Sequence, residues 1–259
     1  MRRRALLQLF RPPNLFTVPG DPLCGYLIAS GGRLSWHVIP AIGISVALYC
    51  AGLIVNDLAD FSEDLRDRPM RPLPSGGVAV KAANTIAIVL ISIAVILANL
   101  VNATVAVIAV ILVNEILFYN VFAKKNAFVG PIAMGLCRGS SVLIGAAAIL
   151  PFHPSSFVVP AYAGPVITFY FGNLHFGFRN SPYLAAGVIT LYIAGVTALA
   201  RKETSNPRIP PLIGSLIRGL LFIQAGFCAS AGGYGWVAAI LLLALWPVSR
   251  LVSSRFYAS

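Results

Sequence analysis

The sequence predicts an all-α, polytopic membrane bundle of eight to nine transmembrane helices, and three observations predict it. Hydrophobic residues fill 58% of the 259 positions and charged residues only 10%, against about 25% charged in an ordinary soluble domain. Mean hydropathy is +0.84. Apolar stretches near the roughly 20-residue length of a span alternate with short polar punctuation from end to end. So little polar surface cannot cover a water-facing exterior, but it suits one facing lipid. The expected organisation is one integral membrane domain over 1–259, in contact with the lipid bilayer and without a soluble appendage.

Taken in order, the candidate spans are 15–30, 36–56, 82–101, 103–121, 129–150, 157–175, 183–200, 211–230 and 233–252. The first is the least apolar. Arg2–Arg4 precede it, and Pro12, Pro13, Pro19 and Pro22 interrupt it, so it reads as an N-terminus entering a helix rather than a signal peptide. Segment 157–175 is the irregular one. Pro160, Pro165 and the run Phe169, Tyr170, Phe171 make it a poor straight helix. If it crosses, Arg201, Lys202, Arg208, Arg250 and Arg255 fall outside. If it re-enters or lies in the interface, they fall inside with loops 57–81 and 121–128, as the positive-inside rule prefers. The expectation is eight crossings plus one membrane-dipping segment, with nine crossings as the alternative.

The net charge of +11 does not imply nucleic acid. The cations sit in short clusters between apolar stretches, at Arg2–Arg4, Arg66–Arg71, Lys124–Lys125, Arg201–Arg208 and Arg250–Arg255. That is the pattern of loops held at an anionic leaflet. Cys24, Cys50, Cys137 and Cys228 show no pairing or CxxC spacing and read as small buried hydrophobes. His37, His153 and His175 are single, with no metal-site spacing.

The chemistry concentrates in one loop. Of eight acidic residues, five lie within eleven positions: Asp57, Asp60, Glu63, Asp64 and Asp67. Asn56, Asp60 and Asp64 are spaced i, i+4, i+8 and share one helical stripe, with Asp57 at its edge. Pro69, Pro72 and Pro74 then break the helix. Carboxylates on one stripe repel unless a cation sits among them, and hard carboxylate and amide oxygens suit Mg²⁺. Arg66, Arg68 and Arg71 follow, and guanidinium groups suit bidentate phosphate contact. Two readings fit: a metal–diphosphate site for an amphiphile with a diphosphate head and an apolar tail, or a solvated loop of mixed charge. Arg138 lies within an apolar span, where an ionised group is costly and marks function by default. Snorkelling, or pairing with the intramembrane Glu115, is the alternative.

Asn56-Asp-x-x-Asp60-x-x-x-Asp64, continued by Arg68-Pro-Met-Arg71-Pro-Leu-Pro-Ser-Gly76, resembles the first Asp-rich motif of the UbiA prenyltransferase superfamily. Arg11-Pro-Pro-Asn14 and Tyr119-Asn-Val-Phe-Ala-Lys124 resemble two weaker family segments. The resemblance implies a helical bundle enclosing a cavity. In it Mg²⁺ and cationic side chains hold a prenyl diphosphate, and the allylic cation alkylates a small-molecule acceptor, often an aromatic ring. Carried over by position, Asn56, Asp60 and Asp64 would ligate Mg²⁺, with Asp60 and Asp64 the catalytic pair and Asp57 in support. Asn14, Arg68, Arg71, Tyr119, Lys124, Arg138, Arg201 and Lys202 would bind substrate. Phe16, Tyr26, Tyr119, Phe122 and Tyr192 are candidate cation-facing aromatics, with plain helix packing as the other reading.

The family's second motif supplies further aspartates, but here its place, Leu191–Ser205, holds one acid, Glu203, beside Arg201 and Lys202. Glu203 is the remaining candidate metal ligand, and the two cations would contact phosphate directly. The Gly135-Leu-Cys-Arg-Gly139 and Tyr192-to-Glu203 stretches look most like the EboC-like branch, tied to bacterial secondary metabolism. That likeness implies a bacterial cytoplasmic membrane, and the basic loops put the acidic loop on the cytoplasmic side. The expected function is therefore an intramembrane, Mg²⁺-dependent prenyltransferase. The alternatives are a non-catalytic carrier of a lipid or metabolite built on the same fold, and an ion-coupled transporter, which would leave the loop carboxylates without a role.

Overall fold

A computed structural model describes residues 3–149, 166–171, 174–179, 181–201 and 209–256. The chain forms α1 (Arg3–Leu9), α2 (Pro12–Leu15), α3 (Gly20–Ser30), α4 (Val38–Ala59), α5 (Phe61–Asp67), α6 (Val80–Val101), α7 (Ala103–Phe118) and a π-helical turn at Tyr119–Ala123. It continues with α8 (Val129–Ala147), β1 (Val166–Phe171), β2 (Leu174–Arg179), α9 (Pro182–Ala200), α10 (Ile209–Ser230) and α11 (Gly235–Phe256). Among the described residues, seven helices (α4, α6, α7 with its π turn, α8, α9, α10, α11) are long and apolar enough to cross a membrane. The protein is an integral membrane protein.

The expected first span divides. Proline supplies no backbone N–H and fixes φ, and Arg11 turns into the left-handed region at φ 45° between α1 and α2. The short α2 then hands over to α3 through Thr17 and Val18. The eleven-residue α3 buries nine of its positions, which makes it the central post of the bundle. It packs on α8 at backbone contact. A Cβ on Gly25 would stand 2.0 Å from the Val142 carbonyl oxygen, and one on Gly145 would stand 1.9 Å from that of Pro22. Between membrane helices, where lipid is as apolar as Leu, such small-residue approach supplies the packing energy. The Gly135–Gly139 stretch has the same use: Cβ atoms there would strike Thr190 of α9 at 2.3 Å.

α6 and α7 form a hairpin at Asn102. Its Oδ1 accepts the Val105 N–H at 2.8 Å as the α7 N-cap, and its Nδ2 donates to the Ala147 carbonyl at 3.0 Å. The cap thus also ties the turn to the end of α8, satisfying orphan groups of both helices.

The path between α8 and α9 departs from the helical expectation. Its described parts are two antiparallel strands, with Val166 opposite Arg179 and Phe171 opposite Leu174. The sequence carries the reason: β-branched and aromatic residues favour strand, and Gly172-Asn173 between them is a hairpin signal. Residues 150–165 lie outside the described ones. Both ends of the connection are fixed, however. α8 begins beside Lys124, and α9 ends at Arg201, whose Nη2 donates to the Lys124 carbonyl at 2.6 Å. The two helices are antiparallel neighbours, so the end of α8 and the start of α9 lie on one side. Arg201 therefore shares a face with the acidic loop, and the described helices fit eight crossings with α2–α3 counted as the first.

Candidate functional site

The acidic stretch is built as a nearly continuous helix with a bend at Asp60. Asp60 N–H donates to the Asn56 carbonyl at 3.0 Å, Asp64 N–H to that of Asp60 at 2.8 Å, and Arg68 N–H to that of Asp64 at 2.9 Å. The i, i+4, i+8 stripe is therefore held by backbone bonds through the joint between α4 and α5. Its carboxylates do not converge. Asp57 accepts from Arg11 Nη2 at 2.8 Å, and Asp64 accepts from Arg71 Nη1 at 2.7 Å. Asp60 forms an ion pair with Lys124, whose Nζ also donates to Asn56 Oδ1 at 2.9 Å. Asp57 and Asp64 are nearly buried in these pairs.

The π turn is what brings Lys124 there. Lys124 N–H bonds the Tyr119 carbonyl at 2.8 Å, spanning five residues rather than four. This widens the last turn of α7 and aims Tyr119, Asn120 and Lys124 at α4. π turns cluster at functional sites for this reason.

Above the bundle interior these groups ring a cavity of about 360 Å³. Its mouth is lined by Arg11, Asn56, Asp60, Arg68, Arg71 and Lys124, and its walls by Leu48, Gly52, Leu53, Leu112, Ile116, Met134 and the rings of Tyr49 and Tyr119. Farther in lie Asp21, Ser45, Arg138 and Ser141. The mouth carries four cations, and their carboxylate partners number three. Arg68 has no acidic partner among the described residues, and the excess positive charge favours an anion.

Among the described residues no three carboxylate, histidine or cysteine side chains converge on one point. Asp57 and Asp64 are turned to arginines here, so the carboxylates of the stripe are not gathered around one point. Mg²⁺ does not need such a cluster. It is commonly bound by one or two carboxylates with substrate phosphates completing its octahedron. The oxygens of Asp60 and Asn56, both at the mouth and both facing one cation, fit that open arrangement.

The other expected residues divide. Tyr119, Lys124, Arg68, Arg71 and Arg138 line the cavity. Asn14 is half-buried in α2, away from its walls. Arg201 is exposed and bonds the Lys124 carbonyl instead of facing the cavity, in space that Gly130 leaves by lacking a Cβ. Lys202 and Glu203 lie outside the described residues. Of the candidate aromatics only Tyr119 lines the cavity. Tyr26 is buried in the core, Phe122 is 71% exposed, and the Tyr192 hydroxyl donates to the Leu216 carbonyl at 2.7 Å.

Arg138 does not pair with Glu115. Its Nε stands 2.7 Å from Asp21 Oδ2, and its Nη2 donates to the Thr17 carbonyl at 2.9 Å. Gln224 Nε2 reaches the same carbonyl at 2.8 Å and Asp21 Oδ1 at 2.6 Å. Sequence reasoning missed Arg11, Asp21, Tyr49 and Gln224. Asp21 carried a signal, being an acid in an apolar stretch with Arg138 in another; Tyr49 and Gln224 carried none.

Gly52 marks the level just below the mouth. A Cβ there would touch Ile116 at 3.5 Å, ordinary contact. Gly52→Leu should therefore fold normally yet fill this level, weakening a diphosphate-bearing amphiphile at least about tenfold, or about 1.4 kcal/mol. Calorimetric titration beside a melting curve checks both halves.

Comparison with known proteins agrees with this geometry. The chain is 28% identical over 176 residues to digeranylgeranylglyceryl phosphate synthase of Sulfurisphaera tokodaii, covering 66% of this chain and 61% of that one. It is 31% identical over 146 residues to the Methanopyrus kandleri enzyme of the same name, covering 56% and 53%. The chain thus spans between about half and three fifths of the length of the curated relatives it matches. In fold it is similar to an apo UbiA homologue from Aeropyrum pernix (TM-score 0.59, 19% identity, 95% of this chain and 88% of that one). It is also similar to one from Archaeoglobus fulgidus bound to DMAPP and Mg²⁺ (TM-score 0.54, 14% identity, 96% and 87%). The family model described as the UbiA prenyltransferase family matches residues 22–258, and with nearly the whole chain inside that match, the protein belongs to the UbiA prenyltransferase family.

Proposed function

We propose that this protein is an intramembrane, Mg²⁺-dependent prenyltransferase that moves an isoprenoid chain from a prenyl diphosphate to a small acceptor. The observation that carries the reading is the mouth: four cations against three carboxylates, set over a cavity whose upper walls are apolar, inside a membrane bundle. The relatives named digeranylgeranylglyceryl phosphate synthase and the homologue bound to DMAPP and Mg²⁺ support it.

Lys124, Arg68 and Arg71 bind the diphosphate head. Asp60 and Asn56 would hold Mg²⁺, which when bound would offset charge on the leaving diphosphate. Asp64 and Asp57 act one step back, fixing Arg71 and Arg11. The allylic C1–O bond breaks with its electron pair on the diphosphate, at the level of Gly52 and Ile116. The cations at the mouth are already aimed where that charge develops, so they need no reorganisation. The faces of Tyr119 and Tyr49 stabilise the allylic cation, and the leucine and isoleucine walls keep water from quenching it. The acceptor forms the new bond to C1 and gives up a proton. The acidic loop lies on the cytoplasmic side, supported by the shared face of Arg201 and Lys124 and by the basic loops. One membrane domain over 1–259, Glu203 and Lys202 as further phosphate or metal contacts, and membership of the EboC-like branch belong to the same proposal.

The test avoids the acceptor. A slow-reacting prenyl thiodiphosphate is titrated into purified protein with Mg²⁺ and then with excess EDTA. Tight binding that needs Mg²⁺ is expected. A carrier is the second reading, favoured by the pairing of Asp57, Asp60 and Asp64 with cations. Binding indifferent to EDTA, with no diphosphate released on adding acceptors, would establish it instead.

A further inference from the structure

The inner end of the cavity is not apolar. Ser45 Oγ and Ser141 Oγ line it with no hydrogen-bond partner among the described residues, and beside them lies the Asp21–Arg138 ion pair. All four residues are at most 7% exposed. Buried polar groups are almost always satisfied. Two orphan hydroxyls and a buried ion pair facing one space are more than packing accident, since Ala in place of either serine would serve a lipid-lined tunnel better.

Their chemistry is specific. The two serine hydroxyls can each donate and accept, beside a carboxylate–guanidinium pair. The charges cancel locally, because Arg138 Nε lies 2.7 Å from Asp21 Oδ2. An anionic guest would meet no uncompensated cation here, unlike at the mouth. A guest that both donates and accepts at several points without net charge is a hydroxylated molecule. Leu48, Tyr49 and Leu112 alongside give its carbon skeleton an apolar wall. Ser45 stands about two turns of α4 beyond Gly52, roughly 10 Å. A molecule of one ring seated there reaches the level where the allylic carbon is placed.

We propose that this inner polar pocket, formed by Ser45, Ser141 and the Asp21–Arg138 pair, binds a neutral, hydroxyl-bearing acceptor. The proposal rests on the prenyl-transfer reading above for the word acceptor, but the pocket itself does not. It leaves the inner half of the cavity closed to the prenyl tail and selects against carboxylate-bearing acceptors.

The test uses full-length protein in detergent and equilibrium dialysis of radiolabelled glycerol, erythritol and glucose, with benzoate as the anionic comparison. At least one polyol is expected to bind, and its Kd to weaken about fivefold in Ser45→Ala and again in Ser141→Ala, the loss of one hydrogen bond each. Benzoate is expected not to bind. Removing an orphan hydroxyl does not unfold a helix, so melting temperature should hold, and the thiodiphosphate Kd should stay within twofold. Leu48→Phe, which fills the pocket by volume alone, should abolish polyol binding. The proposal falls if no polyol binds, if the serine variants bind polyols as well as the parent does, if benzoate binds better than any polyol, or if the serine variants weaken the thiodiphosphate, which would put the tail there. Failure of the thiodiphosphate to bind parent protein overturns prenyl transfer instead, and leaves the polyol result to be read by itself.

Discussion

Asp60→Asn should erase the Mg²⁺ dependence of donor binding while tightening the metal-free affinity. In the parent protein Asp60 is the one carboxylate that lines the cavity mouth, and it holds Lys124 in an ion pair. Asparagine keeps the shape but supplies neither an anionic oxygen for Mg²⁺ nor a counter-charge for Lys124. In EDTA the variant mouth then has four cations against the two carboxylates of Asp57 and Asp64, and the diphosphate meets a freer ammonium. With Mg²⁺ the gain should shrink from about a hundredfold to less than about threefold, and turnover should fall by about 10²–10³ as an electrostatic group aimed at the leaving group is lost. Titration of the thiodiphosphate with and without EDTA reads both signs. A variant that keeps the full Mg²⁺ gain would assign the metal to other residues. Asp64→Asn is the control that separates geometry from motif. The stripe treats the two aspartates alike, but Asp64 is turned to Arg71 at 2.7 Å, so its loss should act through a loosened Arg71 and leave the Mg²⁺ gain in place.

The difference between those two aspartates shows what a sequence can hold. Apolar run length gave the long helices, because membrane thickness fixes the length of a span. The stripe was legible because i, i+4 spacing is a backbone property, and the bonds from Asn56 through Asp60 and Asp64 to Arg68 obey it. What each carboxylate then grips depends on a cation 46 or 64 positions away, Arg11 for Asp57 and Lys124 for Asp60. No periodicity reports that distance. Arg11 was hidden for a second reason. It sits at positive φ before Pro12 and Pro13, a chain bend that reads as a helix breaker rather than as a way of bringing a guanidinium to α4. Arg201 differs in the opposite sense. A cation at the place of a missing acid suggests phosphate contact, yet local space at Gly130 gave it a backbone carbonyl instead. The strands between α8 and α9 were legible after the fact, since Val166–Phe171 is rich in β-branched and aromatic residues, but hydropathy alone cannot tell a short apolar strand from a piece of a span.

Arg138→Ala should cost more stability than any other single change in the bundle, about 3–5 kcal/mol. Arg138 on α8 touches Asp21 on α3 and the Thr17 carbonyl, and Gln224 on α10 closes the same group. Removing the guanidinium leaves the Asp21 carboxylate, 0% exposed, with only Gln224 to answer it, and an unpaired buried charge is where such a penalty arises. Asp21→Ala should cost a similar amount for the mirrored reason. Arg138→Lys should recover part of it, because an ammonium can meet Asp21 but lacks the planar fork that reaches Thr17 at the same time. The informative variant is the pair. Asp21→Leu with Arg138→Met removes both charges and fills the volume, and should be more stable than either single charge deletion, since desolvation of the two ions offsets most of their attraction. Denaturant-titrated unfolding in bicelles measures all four, and the double-mutant cycle isolates the coupling. A double variant as unstable as the singles would mean that Thr17 and Gln224, rather than the ion pair, hold α3, α8 and α10 together. A double variant that is stable but no longer binds polyols would separate the two uses of this cluster. The charges would then be kept at a cost in stability for the sake of what they bind.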